Sequence, residues 1–300
     1  MLAEKLNFRA AAEACFVTQS TLSAGIKELE STLGAQLVER DKRRVRLTRI
    51  GEQVVERARR LVAEAADLVE AVQASHAPLS GELRLGAIPT IAPFLLPRSL
   101  PALRRRFPQL RLFLREDQTA HLLAQLRAGE LDAALLALPY ETGDLEVREL
   151  FEDPFRLVTR RDHPLAALAK VPVQRLDIAQ VILLEEGHCL REHAIEACGK
   201  AKGTPSGIEA TSLPTLLQMV EGGLGVALLP ESALRSDVLA GTRLVARAFA
   251  GRVPARRVVL VSRATAARAP DLDLLAEVLA GRPSATKTKG ATSSKEAAKP

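Results

Sequence analysis

The spacing of apolar positions along this chain changes as it proceeds. Leu22, Ile26, Leu29 and Leu33 recur at intervals of four, three and four, which predicts a helix with one buried stripe. A short Ala-rich helix before it ends near Cys15, itself expected to be a small core residue. Phe16 and Val17 then make a tight apolar turn, and Thr18 caps the second helix through its side-chain oxygen. Within 51–77, Val54, Ala58, Leu61, Ala65, Leu68 and Val72 alternate spacings of four and three, a heptad seam. Pro78, Ser80 and Gly81 break that pattern.

From Gly81 to about Arg282, strand and helix patterns alternate. GELRLGAIP (81–89), LRLFLRE (110–116), AALLAL (133–138), GVALL (225–229) and RVVLVS (257–262) read as strands. Residues 94–107 read as a helix interrupted by prolines. A helix follows at 120–128 with Thr119 as N-cap, and others at 213–221 and 271–279. Such alternation predicts an α/β fold with a mainly parallel sheet. The final stretch, PSATKTKGATSSKEAAKP, lacks large apolar residues and is expected to be disordered. Four regions result: 1–50, an all-α helix-turn-helix domain with a wing; 51–80, a linker and dimerisation helix; 81–282, an α/β effector domain; 283–300, a basic tail.

Composition narrows the function classes. The chain has 300 residues, 47% hydrophobic and 26% charged, with a net charge of +6. The positive excess is concentrated in residues 1–60 and 282–300. A basic head on a near-neutral body suits nucleic acid better than a membrane surface. No apolar run approaches the roughly 18 residues of a membrane span, and MLAEKLNFRAAAEA does not read as a signal peptide. The expected location is the cytoplasm, at the nucleoid when DNA is bound. Three cysteines, an odd count, argue against a disulfide framework there. Neither a metal nor a cofactor is expected.

Two stretches carry candidate chemistry. On the capped helix, Gln19, Ser20, Thr21, Ser23 and Lys27 are polar groups positioned to meet base edges in a major groove. In RDKRRVRLTRIGE (40–52), Lys42, Arg43, Arg44 and Arg46 flank a two-stranded wing and can neutralise phosphates. The plain alternative is a small helical pair with a solvated basic loop.

The second stretch is EEGHCLREHAIEAC (185–198). Leu190 to Cys198 reads as a helix, which places Cys189 at its N-terminus. Unpaired backbone N–H groups lower a thiol pKa there, with His188 and Arg191 adding positive charge. A thiolate attacks peroxide to give a sulfenic acid, which a second thiol can resolve. Nine helical residues place the Cα atoms of Cys189 and Cys198 roughly 13–14 Å apart. A disulfide needs about 4.4–6.8 Å, so the pair can bond only if the segment unwinds. The alternative is two inert buried cysteines.

AAAEACFVTQSTLSAGIKELESTLGAQLVERDKRRVRLTRIGE resembles the winged helix-turn-helix of LysR-type transcriptional regulators, most specifically in VTQSTLS and RLT-x-x-G. Measured against that family, the first helix is shortened here to MLAEKLNF. GELDAALLALP (129–139) and TSLPTLLQMVEGGLGVALLP (211–230) resemble the family's two-lobed, periplasmic-binding-protein-like effector domain. GHCLR with a cysteine nine residues on resembles the redox loop of OxyR-type peroxide sensors within that family. GAIPTIAPFLLP (86–97), EDPF (152–155) and DHP (162–164) agree. The resemblance implies that Cys189 is the peroxidatic and Cys198 the resolving thiol. Thr90, Thr119, His188 and Arg257 then surround hydrogen peroxide. Thr90 and Thr119 also read as plain helix caps, and Arg257 as a surface residue. The implied partners are double-stranded DNA, a second copy in a dimer or tetramer, RNA polymerase, and a thiol reductant such as glutaredoxin or thioredoxin. The implied function is control of antioxidant genes rather than an enzymatic one. The other function within the family is response to a small organic effector in the inter-lobe cleft.

Overall fold

The computed structural model describes residues 1–40, 45–73, 78–199, 207–251, 254–266 and 268–281. The N-terminal unit holds α1 (Leu2–Lys5), α2 (Phe8–Ala14), α3 (Gln19–Leu33) and a hairpin of β1 (Val38–Arg40) and β2 (Val45–Leu47). Thr18 caps α3 as expected, its side chain accepting from the Thr21 N–H. Leu22 and Ile26 pack on a small core of Leu2, Ala11, Leu37 and Val38. The rest of the stripe departs from expectation. Leu29 and Leu33 are 40% and 48% exposed, because no described element covers the far half of α3. Cys15 is exposed rather than in the core, and Phe16 projects from a left-handed turn, φ +57°.

Helix α4 (Arg49–Gln73) leaves this unit. Val54 packs against the N-terminal core, whereas Ala58, Leu61 and Ala65 face solvent. The side chains of Leu68 and Val72 lie outside the described residues, as do Arg43, Arg44 and the basic tail. Further along, Ala63 is buried and sits where a Cβ on Gly129 would fall, so the helix rests closely on the body.

The body is built on one long sheet. Its strands are β3 (Gly81–Ala87), β4 (Leu110–Glu116), β5 (Ala133–Leu138), β6 (Leu145–Arg160), β7 (Lys170–Val171), β10 (Ala227–Pro230), β11 (Leu244–Phe249) and β12 (Ala255–Arg263). They lie in the order β4-β3-β5-β12-β6-β11-β7, with β10 also on β6. A separate parallel pair joins β8 (Leu183–Leu184) to β9 (Glu209–Ala210). Helices α5 (Ala92–Arg106), α6 (Thr119–Arg127), α7 (Cys189–Ala197), α8 (Leu213–Glu221), α9 (Glu231–Leu234) and α10 (Ala269–Leu279) complete the body.

The sheet is mixed rather than mainly parallel. Strands β3, β4 and β5 run parallel through helical crossovers, but β12 is antiparallel to both β5 and β6. The cause is connectivity. Strand β6 has 16 residues. Its first part pairs with β12, and its last part, from Phe155, pairs with β10 and β11. It thus belongs to two lobes with separate cores, one around Leu85, Leu135 and Leu260, the other around Leu157, Leu183 and Leu228. The prolines in 94–107 do not interrupt α5. Pro97 and Pro101 sit inside one continuous helix that packs on α10 and buries Phe94, Leu96 and Leu103. Packing here outweighs propensity.

Candidate functional site

The site lies where the lobes meet, and backbone geometry sets its entrance. Gly187 has φ +93°, and a Cβ there would stand 2.5 Å from Oε1 of Gln118. The positive φ favours glycine, and a side chain here would also press on the Gln118 amide. The loop can therefore press against Gln118 before α7 begins. His188 is the N-cap of α7 and Cys189 its first residue. His188 is buried, with Nε2 3.8 Å from the carboxylate of Glu185.

Thr90, Thr119 and Cys189 are all buried, at 2%, 1% and 5% exposure. Thr119 is the first residue of α6 rather than its cap; Gln118 holds the cap position. The Thr119 hydroxyl is consequently a buried polar atom without a hydrogen-bond partner. It stands close enough to the thiol to favour its thiolate. No bond of ordinary geometry joins them, so we regard the hydroxyl as open.

The basic residue at this site is Arg256, and the expectation for Arg257 is corrected. Arg256 is fully buried. Its Nη1 donates to the Thr90 hydroxyl at 3.0 Å and its Nη2 to the Thr90 carbonyl at 3.0 Å. Its Nε donates to Asp153 Oδ2 at 3.1 Å. Asp153 in turn accepts from the backbone N–H and the hydroxyl of Ser232, at 2.9 and 2.7 Å. Arg257 is exposed and pairs with Glu149. Neighbouring strand residues point to opposite faces, so an offset of one residue moves a side chain to the other side of the sheet. Asp153 and Ser232 were not singled out in the sequence. Their signal was an acidic residue in EDPF facing an arginine pair on a neighbouring strand.

The thiol's environment also differs from expectation. Burial pushes the Cys189 thiol above its ordinary pKa, while the charge of Arg256 and the nearby Thr119 hydroxyl pull it down. Arg191 does not serve as its cation, because its Nη1 donates to Glu209 at 2.6 Å and to the Leu184 carbonyl at 3.0 Å. Cys198 is the C-cap of the same helix, 1% exposed, and burial alone raises its pKa to about 11. Both cysteines are free thiols. Cys189 packs in the core of the first lobe and Cys198 in that of the second.

At the other end of the molecule, Gln19, Ser20, Thr21 and Lys27 are exposed on the first half of α3, with Ser23 half-buried. The Ser20 and Thr21 hydroxyls each lie 2.8 Å from Thr18 Oγ1. Arg46 is exposed on β2 of the wing.

Residues 76–283 match the LysR substrate binding domain, and residues 1–52 match the bacterial regulatory helix-turn-helix protein, lysR family. The chain belongs to the LysR family of regulators. Among its relatives in that family is the HTH-type transcriptional regulator EstR of Acinetobacter baylyi, 41% identical over 280 residues, 93% of this chain and 92% of that one. The DNA-binding transcriptional dual regulator OxyR of Escherichia coli is 42% identical over 234 residues, 78% of this chain and 77% of that one. A solved full-length OxyR variant from Pseudomonas aeruginosa superposes with a TM-score of 0.77 at 39% identity. It covers 93% of this chain and 91% of its own.

Proposed function

We propose that this LysR-family chain binds double-stranded DNA and senses hydrogen peroxide through Cys189 and Cys198. The observation that carries the reading is a buried thiol at the start of α7 beside an open Thr119 hydroxyl and Arg256, with a second thiol at the end of the same helix. The OxyR relatives add weight.

The Cys189 thiolate attacks one oxygen of hydrogen peroxide. A sulfur–oxygen bond forms, the oxygen–oxygen bond breaks, and hydroxide leaves to be protonated to water. Arg256 takes the role of stabilising the thiolate and the departing hydroxide. Thr90, Thr119 and His188 orient the peroxide by hydrogen bonds. The Cys198 thiolate then attacks the sulfenic sulfur, a sulfur–sulfur bond forms and a second hydroxide leaves. A dithiol reductant of the glutaredoxin or thioredoxin kind returns the pair to thiols. Because the thiols occupy opposite ends of α7, the disulfide requires that helix to unwind. The rearranged body then shifts paired DNA-binding units in a dimer or tetramer. It engages RNA polymerase at antioxidant genes in the cytoplasm.

The second reading is a small organic effector, favoured by the match of residues 76–283 to the LysR substrate binding domain. The burial of Thr90, Thr119 and Cys189 supports a small oxidant over a bulkier organic acid at the thiol. The test is Cys189→Ser. Peroxide should no longer change the DNA footprint of this variant, while its reduced-state DNA binding stays intact. A peroxide response equal to wild type overturns the reading. Mass mapping after mild peroxide should show a Cys189–Cys198 bridge in the wild-type chain.

A further inference from the structure

Helix α9 has four residues, far below the roughly 12–15 at which an isolated helix holds in water. Two side chains of β6 seat it. Arg156 donates through Nε and Nη2 to Glu231 Oε2, at 3.1 and 2.7 Å. Asp153 accepts the Ser232 backbone N–H on Oδ1 and the Ser232 hydroxyl on Oδ2, at 2.9 and 2.7 Å. The next residue, Ala233, is buried in the core of the second lobe. The place of Asp153 is thus set from that lobe.

Asp153 passes that constraint to Arg256. The same Oδ2 accepts from Arg256 Nε at 3.1 Å, and Arg256 Nη2 stands 3.1 Å from it. The two terminal nitrogens of Arg256 donate instead to Thr90, Nη1 to its hydroxyl and Nη2 to its carbonyl. Thr90 lies between Ile88 and Ile91 of the first core. A guanidinium is planar and its donors point in fixed directions. Held at Nε from one side and at both terminal nitrogens from the other, the fork of Arg256 has one orientation. Without Asp153, the two bonds to Thr90 form a hinge about which the fork can turn. The charge on that fork favours the Cys189 thiolate. A displacement of about 1 Å at a catalytic group can cost about a hundredfold in rate, so the hold on Arg256 bears on the chemistry as well as on stability.

We propose that Asp153 and Ser232 are positioning residues for Arg256, fixing the direction its guanidinium faces while Cys189 reacts with peroxide. Resting on the peroxide reading above, this role extends the reaction centre from β12 through β6 to α9. The reactivity of a thiol packed in the first lobe then depends on how a short helix of the second lobe is seated.

The experiment uses the reduced full-length chain and follows loss of the Cys189 thiol to hydrogen peroxide by alkylation and peptide mass. Ser232→Ala keeps both charges and the backbone N–H, and should lower the second-order rate about threefold. Asp153→Asn should lower it about tenfold. Ser232→Thr, which keeps the hydroxyl, should react as the wild type does. Arg256→Lys keeps the charge but has no fork to orient. Its own rate should fall, and adding Ser232→Ala to it should cost nothing further. Urea midpoints identify the folded chains. Should Asp153→Asn fail to fold, the two Ser232 variants, which spare the buried pair, decide. Wild-type rates in folded Ser232→Ala, a Ser232→Thr chain as slow as Ser232→Ala, or a further threefold loss in the Arg256→Lys background each overturn the positioning role. A wild-type Cys189 no faster than free cysteine overturns the peroxide reading, and the role falls with it.

Discussion

Arg256 and Arg257 are adjacent, chemically identical and energetically unlike. Arg256 shares a buried ion pair with Asp153, the side chains 0% and 2% exposed. Arg256→Ala leaves Asp153 buried without its cation and should cost about 3–5 kcal/mol in urea unfolding. Arg257 and Glu149 are more than half exposed, so Arg257→Ala should change stability by less than about 1 kcal/mol. The sequence did not separate the two, because Val258 to Ser262 on the same strand are buried on both faces and alternation carries no marker there. Cys189 and Cys198 stood out by their spacing, which left two inert buried cysteines as an alternative, and their proposed roles came from the resemblance to the redox loop. The partners of Cys189 were not, because Arg256 and Thr119 reach it only through the fold. A pH dependence follows for Cys198. Its folded pKa of about 11 lies above the ordinary 9.0. The folded state therefore holds that proton more tightly, and its contribution is full below pH 9.0. It is lost as pH rises through about 11, so the urea midpoint of the reduced chain should fall across that window. Cys198→Ala should flatten the fall.

At the scale of elements, α7 is the part on which the proposed switch depends. Its two ends are sealed in different cores, so each thiol is protected by the packing that must be released. Gly187 sets where the helix begins. Gly187→Ala forces a side chain into a positive-φ backbone and against Gln118. It should destabilise the chain by about 1–3 kcal/mol and slow the reaction of Cys189 with peroxide, read as thiol loss against time. Strands β3, β4, β5, β10 and β12 and helices α5 to α8 and α10 were visible in the sequence, whereas β6 and β11, which join and extend the second lobe, were not read from it. The antiparallel return of β12 was not visible either, since a buried strand reads the same in either direction. Nor was the continuity of α5, where two prolines argued for a break that packing on α10 overrides.

For the whole molecule, the exposed seam of α4 is the feature that a single copy leaves uncovered. Leu61 and Val62 are 67% and 70% exposed on a helix of 25 residues. Proposed as the contact with a second copy, this seam predicts that Leu61→Glu yields a smaller species in sedimentation and weaker operator binding, with the body still folded by circular dichroism. The heptad spacing announced that surface, whereas burial in a single chain cannot reveal what completes it. The Arg256–Asp153–Ser232 chain, running from Thr90 in one lobe to α9 beside the other, has a wider consequence. It fastens the lobes at one edge of α7 while the helix caps two cores. The peroxide dose that trips the proposed switch is then tied to the local melting of a nine-residue helix. On that reading, whatever packs the two ends of α7 more tightly raises the dose, and whatever loosens them lowers it.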